Sequence, residues 1–236
     1  MKYSDQLAEW LVSLGYSHCF YVAGGNIMHL LESCSRRMTC IPFVHEVAAG
    51  IAAEYFTQVS DKGKAFALVT AGPGLTNIIT AMAGAYLESH ELLVLGGQVK
   101  TADLAHGALR QRGIQEIAGV DIAAPITVTS AVMEETFDRG RFADLVMSGS
   151  CGRKGPVFIE IPLDIQGQNF LSDENQGGGP RLVSDVPAIS SDILDQMVNW
   201  IRTASRPIIL IGGGVDRDVA WSMLDGLASA RMVSGP

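Results

Sequence analysis

Ala65-Phe66-Ala67-Leu68-Val69-Thr70-Ala71-Gly72-Pro73-Gly74-Leu75-Thr76-Asn77 is the stretch on which the fold turns. Its first five residues form a short, continuously apolar run, the pattern of a strand buried on both faces. Gly72-Pro73-Gly74 then turns the chain, and proline is favoured in the first turn of a helix. The stretch reads strand, turn, helix. Upstream, the strand Cys40–Val44 leads in the same way into an Ala-rich helix from Glu46 to Gln58. Before that, the strand Cys19–Val22 ends in Ala23-Gly24-Gly25, and a helix follows from Asn26, a residue suited to an N-cap.

Working outward, helical periodicity covers Tyr3–Leu14 and Glu134–Met147. Further strands are expected at Leu92–Leu95 (ending in Gly96-Gly97-Gln98), Ile126–Thr129 and Val157–Ile161. Six short apolar strands separated by helices imply an α/β fold: a parallel six-stranded sheet flanked by helices on both faces. Ligands of such sheets bind outside the carboxyl ends of the strands. Glu46, Gly72–Asn77, Gly24-Gly25 and Gln98 all fall at carboxyl ends, which points to one site.

This first domain is expected to span residues 1–168. Residues 169–189, with Gly177-Gly178-Gly179-Pro180 among polar residues, read as a linker. Residues 190–236 then begin a second α/β domain, with a helix at Ser191–Thr203, a strand at Pro207–Ile211, the turn Gly212-Gly213-Gly214 and a helix at Asp216–Ala230. It stops at Met232-Val233-Ser234-Gly235-Pro236, where another strand would start. Two strands and two helices cannot bury a sheet of their own. The chain is therefore expected to be a fragment of a longer protein.

Composition narrows the function classes. At 47% hydrophobic and 18% charged, the 236 residues make an ordinary core-forming chain. Only 7% is aromatic, so small aliphatics carry the core and helices rich in Ala and Gly can pack closely. A net charge of −8 without any Lys/Arg cluster argues against nucleic-acid binding, which needs a basic face. The cysteines Cys19, Cys34, Cys40 and Cys151 have no CxxC spacing and read as reduced thiols. No run reaches the length of a membrane span and the first twenty residues lack a signal-peptide pattern. A cytoplasmic location is the expectation.

Taken singly, the motifs have ordinary explanations. Glu46 could be a first-turn acid favoured by the helix dipole. His45-Glu46 would begin a zinc-protease helix only with a second His at position 49, which is Ala49. No metal ligand is assigned. Gly72-Pro73-Gly74 and Gly212-Gly213-Gly214 are weak as nucleotide fingerprints. Met28, Met82, Met133 and Met147 lie at core-like spacing.

Their order is more specific. Val22-Ala23-Gly24-Gly25 is followed by His45-Glu46, the helix Ala48–Tyr55, then Ala71-Gly72-Pro73-Gly74-Leu75-Thr76-Asn77. Gly97-Gln98-Val99 and Ile114-Gln115-Glu116 come next, and last Gly152-Arg153-Lys154-Gly155-Pro156-Val157 through Glu160-Ile161-Pro162-Leu163-Asp164. This series resembles the pyrimidine-binding domain of thiamine-diphosphate enzymes, and within them the acetolactate synthase (acetohydroxyacid synthase) group. The resemblance covers residues 1 to about 168 and continues weakly to 236.

The resemblance implies that Glu46 bonds the aminopyrimidine of thiamine diphosphate and promotes loss of the C2 proton, which requires a largely apolar cavity. Val44, Val47, Ala48 and Ala49 are the expected apolar neighbours. It implies that Gly24 and Gly25 border the cofactor, that Pro73 and Asn77 line the pyrimidine pocket, and that Gln115 faces the reacting centre. Arg153 matches an arginine that contacts FAD in flavin-carrying members; a turn arginine before Gly155-Pro156 is the alternative. The implied reaction is decarboxylation of a 2-keto acid, pyruvate, with transfer of the two-carbon unit to a carbonyl acceptor. Simple decarboxylation, or transfer to a keto-sugar nucleotide, are alternatives within the same chemistry. A non-catalytic partner or regulatory module is the alternative from another class.

The sequence departs from the family pattern at Ala23, where proline is usual, at Ile114, where an aromatic is usual, and at His90-Glu91, where proline is common. The loop from Val99 to Gln115 is longer, carrying Leu109-Arg110-Gln111-Arg112-Gly113. These positions are expected to border the substrate cavity. The Gly-Asp-Gly…Asn motif that holds the diphosphate and Mg²⁺ in the family does not occur in these 236 residues. The resemblance implies that a separate domain supplies it, and that the site forms between subunits of a homo-oligomer.

Overall fold

The computed structural model describes residues 1–170, 188–212, 214, 215 and 217–231. The chain divides into two compact units, Met1–Leu182 and Val183–Pro236.

The first unit alternates helices and strands: α1 (Tyr3–Ser13), β1 (Tyr16–Tyr21), α2 (Met28–Ser35), β2 (Thr39–Pro42), α3 (Glu46–Val59), β3 (Lys64–Val69), α4 (Pro73–Glu88) and β4 (Leu92–Gln98). It continues with α5 (Gly119–Ala123), β5 (Thr129–Val132), α6 (Arg139–Ser148), β6 (Pro156–Pro162) and α7 (Leu163–Gly167). The six strands form one sheet in the order β2-β1-β3-β4-β6-β5. Every pairing is parallel, as the apolar strand runs require.

Strand alternation divides the core between two faces. Phe66 and Leu68 of β3 turn to one face, with Tyr3, Leu7, Leu11, Leu30 and Phe142 from α1, α2 and α6. Ala65, Ala67 and Val69 turn to the other, with Ala49, Ala53, Ile78, Ala81, Met82 and Ala85 from α3 and α4. On that second face the small residues let the two helices touch. A Cβ on Gly50 would lie 2.5 Å from the Ala81 Cβ.

The beginning of the unit is tied to its last described residues. Tyr3 N–H donates to the Gln168 carbonyl at 2.8 Å, and Phe170 N–H to the Met1 carbonyl at 2.9 Å. The Phe170 ring packs 5.1 Å from Tyr3 and 5.9 Å from Trp10. The Tyr3 hydroxyl bonds the backbone of Phe137, donating to its carbonyl at 3.0 Å and accepting from its N–H at 2.8 Å.

Several boundaries move from their expected places. The fifth strand runs Thr129–Val132 rather than Ile126–Thr129, because Ala124–Ile126 winds into a 3-10 turn around Pro125. The helix expected from Glu134 starts at Arg139, where the Asp138 carboxylate caps it by accepting from Arg141 N–H at 2.8 Å. The helix after Gly25 is a 3-10 turn (Gly25–Ile27) running into α2, and Asn26 does not cap it.

In the second unit α8 spans Ser191–Thr203 and α9 spans Arg217–Arg231. Residues 207–211 are irregular rather than a strand, with Ile208 92% and Leu210 94% exposed. A strand needs a neighbour for its backbone groups, and the described residues of this unit contain no other strand. The expected linker from 171 onward to 187, Asp216, and the strand start at 232–236 lie outside the described residues. Among the described residues no helix is long and apolar enough to cross a membrane.

Candidate functional site

The strand order places a crevice before any side chain is considered. From β1 the chain passes through α2 to β2 on one side of the sheet. From β3 it passes through α4, packed on the opposite face, to β4 on the other side. The loops after β1 and β3 therefore diverge, and open parallel sheets bind ligands at such a switch point.

The residues after β1 and β3 are shaped for close approach. A Cβ on Gly24 would fall 2.3 Å from the Thr70 Cβ, so only glycine lets these two loops touch. A Cβ on Gly74 would meet Thr70 Cγ2 at 3.0 Å and Glu46 Oε1 at 3.5 Å. Gly72 caps α4 with φ +64°, a left-handed value that glycine adopts without strain. Pro73 then opens the helix, as expected from its fixed φ.

Glu46 is the first residue of α3, and the imidazole of His45 caps that helix by accepting from Val47 N–H at 3.2 Å. Glu46 is only 7% exposed. Its Oε2 accepts from Asn77 Nδ2 at 2.8 Å, so α3 and α4 present an acid and an amide together. Thr70 Oγ1, buried beside Gly24 and Gly74, has no hydrogen-bond partner. A buried hydroxyl without a partner is costly. The environment of Glu46 differs from expectation in one respect: Val44 is fully exposed and Ala48 is exposed, leaving Ala49 buried and Val47 partly so. Gly74, Thr70 and Asn77 enclose the carboxyl instead.

Gln115 reaches the same turn from a distant loop. Its backbone has φ +64°, unusual for a side-chain-bearing residue, and a Cβ on Gly72 would lie 2.6 Å from its carbonyl oxygen. Glu116 holds this loop in place. Its carboxylate accepts from the backbone N–H groups of Ala105, Arg112 and Gly113. Burial raises its pKa, but those donors and His106 outweigh burial and hold it below the usual carboxylate value. Gly24, Gly25, Glu46, Pro73, Asn77 and Gln115 thus gather at one end of the sheet. Arg153 does not. It precedes β6, at the amino edge, and its Nε donates to Ser89 Oγ at 2.9 Å.

A second buried acid lies at the carboxyl end. Glu160 on β6 is 2% exposed, and its Oε1 accepts from Gln98 Nε2 at 3.2 Å. Burial pushes its pKa up to about 7, against the hydrogen bonds from Gln98 and Val120 N–H and with help from Asp121. A cavity of about 370 Å³ opens beside it, lined by Gln98, His106, Val120 and Asp121 among others. An acid inside the apolar strand Val157-Phe158-Ile159-Glu160-Ile161 was the available signal for it.

The crevice offers a buried carboxyl held by an amide, a hydroxyl awaiting a partner and a glycine floor. That set suits a flat heteroaromatic ring carrying nitrogen donors and acceptors, and the aminopyrimidine of thiamine diphosphate is such a ring.

Comparison with known proteins identifies the family. The family described as "Thiamine pyrophosphate enzyme, N-terminal TPP binding domain" matches residues 1–122. The chain is 29% identical over 214 residues to "Probable acetolactate synthase" of Mycobacterium bovis, covering 89% of this chain and 37% of that protein. It is 29% identical over 215 residues to "Acetolactate synthase isozyme 1 large subunit" of Escherichia coli K12, covering 90% and 37%. Against "Acetolactate synthase 1, chloroplastic" of Oryza sativa subsp. japonica it is 29% identical over 220 residues, covering 90% and 33%. The chain spans about a third of the length of these curated relatives.

Proposed function

We propose that this chain, which belongs to the thiamine pyrophosphate enzyme family through its N-terminal TPP-binding domain, is the pyrimidine-binding part of an acetolactate synthase-like carboligase. The observation that carries the proposal is the buried Glu46 carboxyl, held by Asn77 beside the unpartnered Thr70 hydroxyl in a glycine-floored crevice.

Thiamine diphosphate, held here by its pyrimidine, would supply the nucleophilic carbon and electron sink for decarboxylation of a 2-keto acid. The protein's part is to place and protonate. Glu46 shares a proton with a pyrimidine nitrogen, a task for which water must be kept away and the carboxyl kept still. Asn77 fixes the carboxyl by its amide, and Thr70 Oγ1 gains a polar partner. Gly24 and Gly74 keep the floor low enough for a ring to lie on it, with Gly25 and Pro73 shaping its rim. Gln115, carried on the loop pinned by Glu116, faces the donor keto acid and its acceptor.

In this reading residues 1–168 are the pyrimidine domain, 169–189 the linker and 190–236 the start of the central domain. Mg²⁺ and the diphosphate belong to a separate domain, and the complete site forms between subunits of a homo-oligomer in the cytoplasm. FAD at Arg153 is proposed from the Gly152–Val157 run. Pyruvate is the proposed donor. The acceptor is a carbonyl compound, and the long Val99–Gln115 loop is where a larger one, such as a keto-sugar nucleotide, would be accommodated.

The test uses the full-length protein. Glu46→Gln should lose most turnover of pyruvate, by about two orders of magnitude or more for a lost acid–base group, while its circular dichroism and oligomeric state stay unchanged. Near-normal turnover in that variant removes the proposal. Product analysis of the unmodified enzyme should give the carboligation product; acetaldehyde as the sole product would make it a simple decarboxylase.

A further inference from the structure

Three of the four cysteines meet inside the first unit. Cys19 of β1 and Cys40 of β2 are directly opposite in the parallel ladder. Opposite residues of neighbouring strands project to the same face, and such strands lie about 4.8 Å apart. That separation is within the Cα range that a disulfide spans, about 4.4–6.8 Å. Cys34 comes down from α2 into the same core cluster. Burial holds the Cys19 thiol well above the ordinary thiol pKa, and the neighbouring Cys34 and Cys40 thiols raise it further. Cys19 and Cys34 are sealed off, 0% and 1% exposed, whereas Cys40 is half-buried on the edge strand β2. Among the described residues no group of three or more His, Cys, Asp or Glu is placed to hold a metal ion. The proximity of these sulfurs calls for another use.

We propose that Cys40 and Cys19 are a peroxide-oxidisable thiol pair that closes a disulfide between β2 and β1. Cys40 is the attacking thiol because it is the one that solvent reaches. Its proton is also the easier to lose: the hydrogen bond from Cys19 lowers its pKa against the opposing effect of burial. Burial raises that of Cys19, which keeps its proton until the second step. An accessible thiolate beside a second thiol is the arrangement of a redox-responsive pair. In the first step the Cys40 thiolate attacks one oxygen of hydrogen peroxide. An S–O bond forms, the O–O bond breaks, and the departing hydroxide takes up a proton as water. In the second, the Cys19 sulfur attacks the Cys40 sulfenic acid. The S–S bond forms, the S–O bond breaks, and a second water leaves with the Cys19 proton. The two thiols lose two electrons and the peroxide gains them.

The site has a route to the crevice. β2 ends at Pro42, Phe43 N–H donates to the Tyr21 carbonyl of β1 at 2.8 Å, and Glu46 follows. A bond between Cys19 and Cys40 would fasten the segment that delivers Glu46.

The whole chain, fully reduced, is treated with a few equivalents of hydrogen peroxide and mapped by non-reducing mass spectrometry after digestion with chymotrypsin and trypsin together. Chymotrypsin cuts at Phe20 and Tyr21 and trypsin at Arg36 and Arg37, which places Cys19, Cys34 and Cys40 on three different peptides. The expected result is a Cys19–Cys40 peptide pair that dithiothreitol dissolves. It should be absent from Cys40→Ser and retained in Cys34→Ala and Cys151→Ser. The wild-type map decides the matter even where a core variant fails to fold. A Cys40 sulfinic acid without cross-link, a Cys34–Cys40 linkage, or no modification at peroxide levels that oxidise free cysteine would each overturn the proposal.

Discussion

At the scale of single residues, the two buried acids at the carboxyl end differ in their partners. Glu46 accepts from the Asn77 amide across two helices, while Glu160 accepts from Gln98 within the sheet. Glu160 makes a stability prediction with a definite sign. Its native pKa of about 7 lies above the ordinary 4.5, so between those values the folded chain binds more protons than the unfolded one. Stability from this group is therefore lost as pH rises through that window. With ~1.4 kcal/mol per pH unit, the cost at pH 8 approaches ~3 kcal/mol. Glu160→Gln removes the charge and should make the urea midpoint nearly flat from pH 5 to 8, where the wild type declines. A parallel decline in both proteins would refute this. Glu46 was readable in the sequence because a motif flanked it. Thr70 was not, because a hydroxyl becomes informative only once it is seen buried beside two glycines and without a partner.

At the scale of elements, all six strands were readable, most closely β3, β4 and β6, whose burial on both faces leaves a continuous apolar run. β1 begins three residues before its expected start, and the exposed edge strand β2 ends two residues early. The strand expected at Ile126–Thr129 slid to Thr129–Val132, and the next helix lost its first turn. In both cases local turn chemistry, Pro125 in one and the Asp138 cap in the other, overrode the apolar pattern. The strand expected at 207–211 failed for the opposite reason: its pattern is right but a partner strand is missing among the described residues. The α3–α4 contact yields a second prediction. Gly50 lies too close to Ala81 for any side chain, a Cβ meeting its neighbour at 2.5 Å. Gly50→Val should destabilise the first unit by about 1–3 kcal/mol, the usual cost of overpacking, and loosen the pairing of Glu46 with Asn77 across the same two helices. Thermal unfolding measures the first effect, and an unchanged midpoint would contradict it.

At the scale of the whole molecule, the two units differ in how they treat apolar side chains. The first buries two clusters of Phe, Leu, Ile and Ala side chains between sheet and helices. The second leaves Trp200, Ile208, Leu210 and Trp221 between 62% and 94% exposed. Apolar surface of that kind binds hydrophobic dyes. A chain ending at Phe170 should keep the unfolding transition of the first unit while losing most anilinonaphthalene sulfonate fluorescence. Loss of the transition would mean that the first unit depends on residues beyond Phe170 for its stability.

The bonds that tie Tyr3 to Gln168 and Met1 to Phe170 also set a timetable. Within the first unit, α1 leaves the ribosome long before its docking partners Gln168 and Phe170. β6 is likewise the last of the six strands of this sheet to be made, yet it lies between β4 and β5, so β4 must wait with a bare edge while sixty-odd residues are added, counted from Gln98 to Pro162. Contacts so distant in sequence slow folding and prolong exposure of unpaired edges. For this domain, the vulnerable period is the stretch of translation between β4 and β6, and any chaperone dependence belongs there.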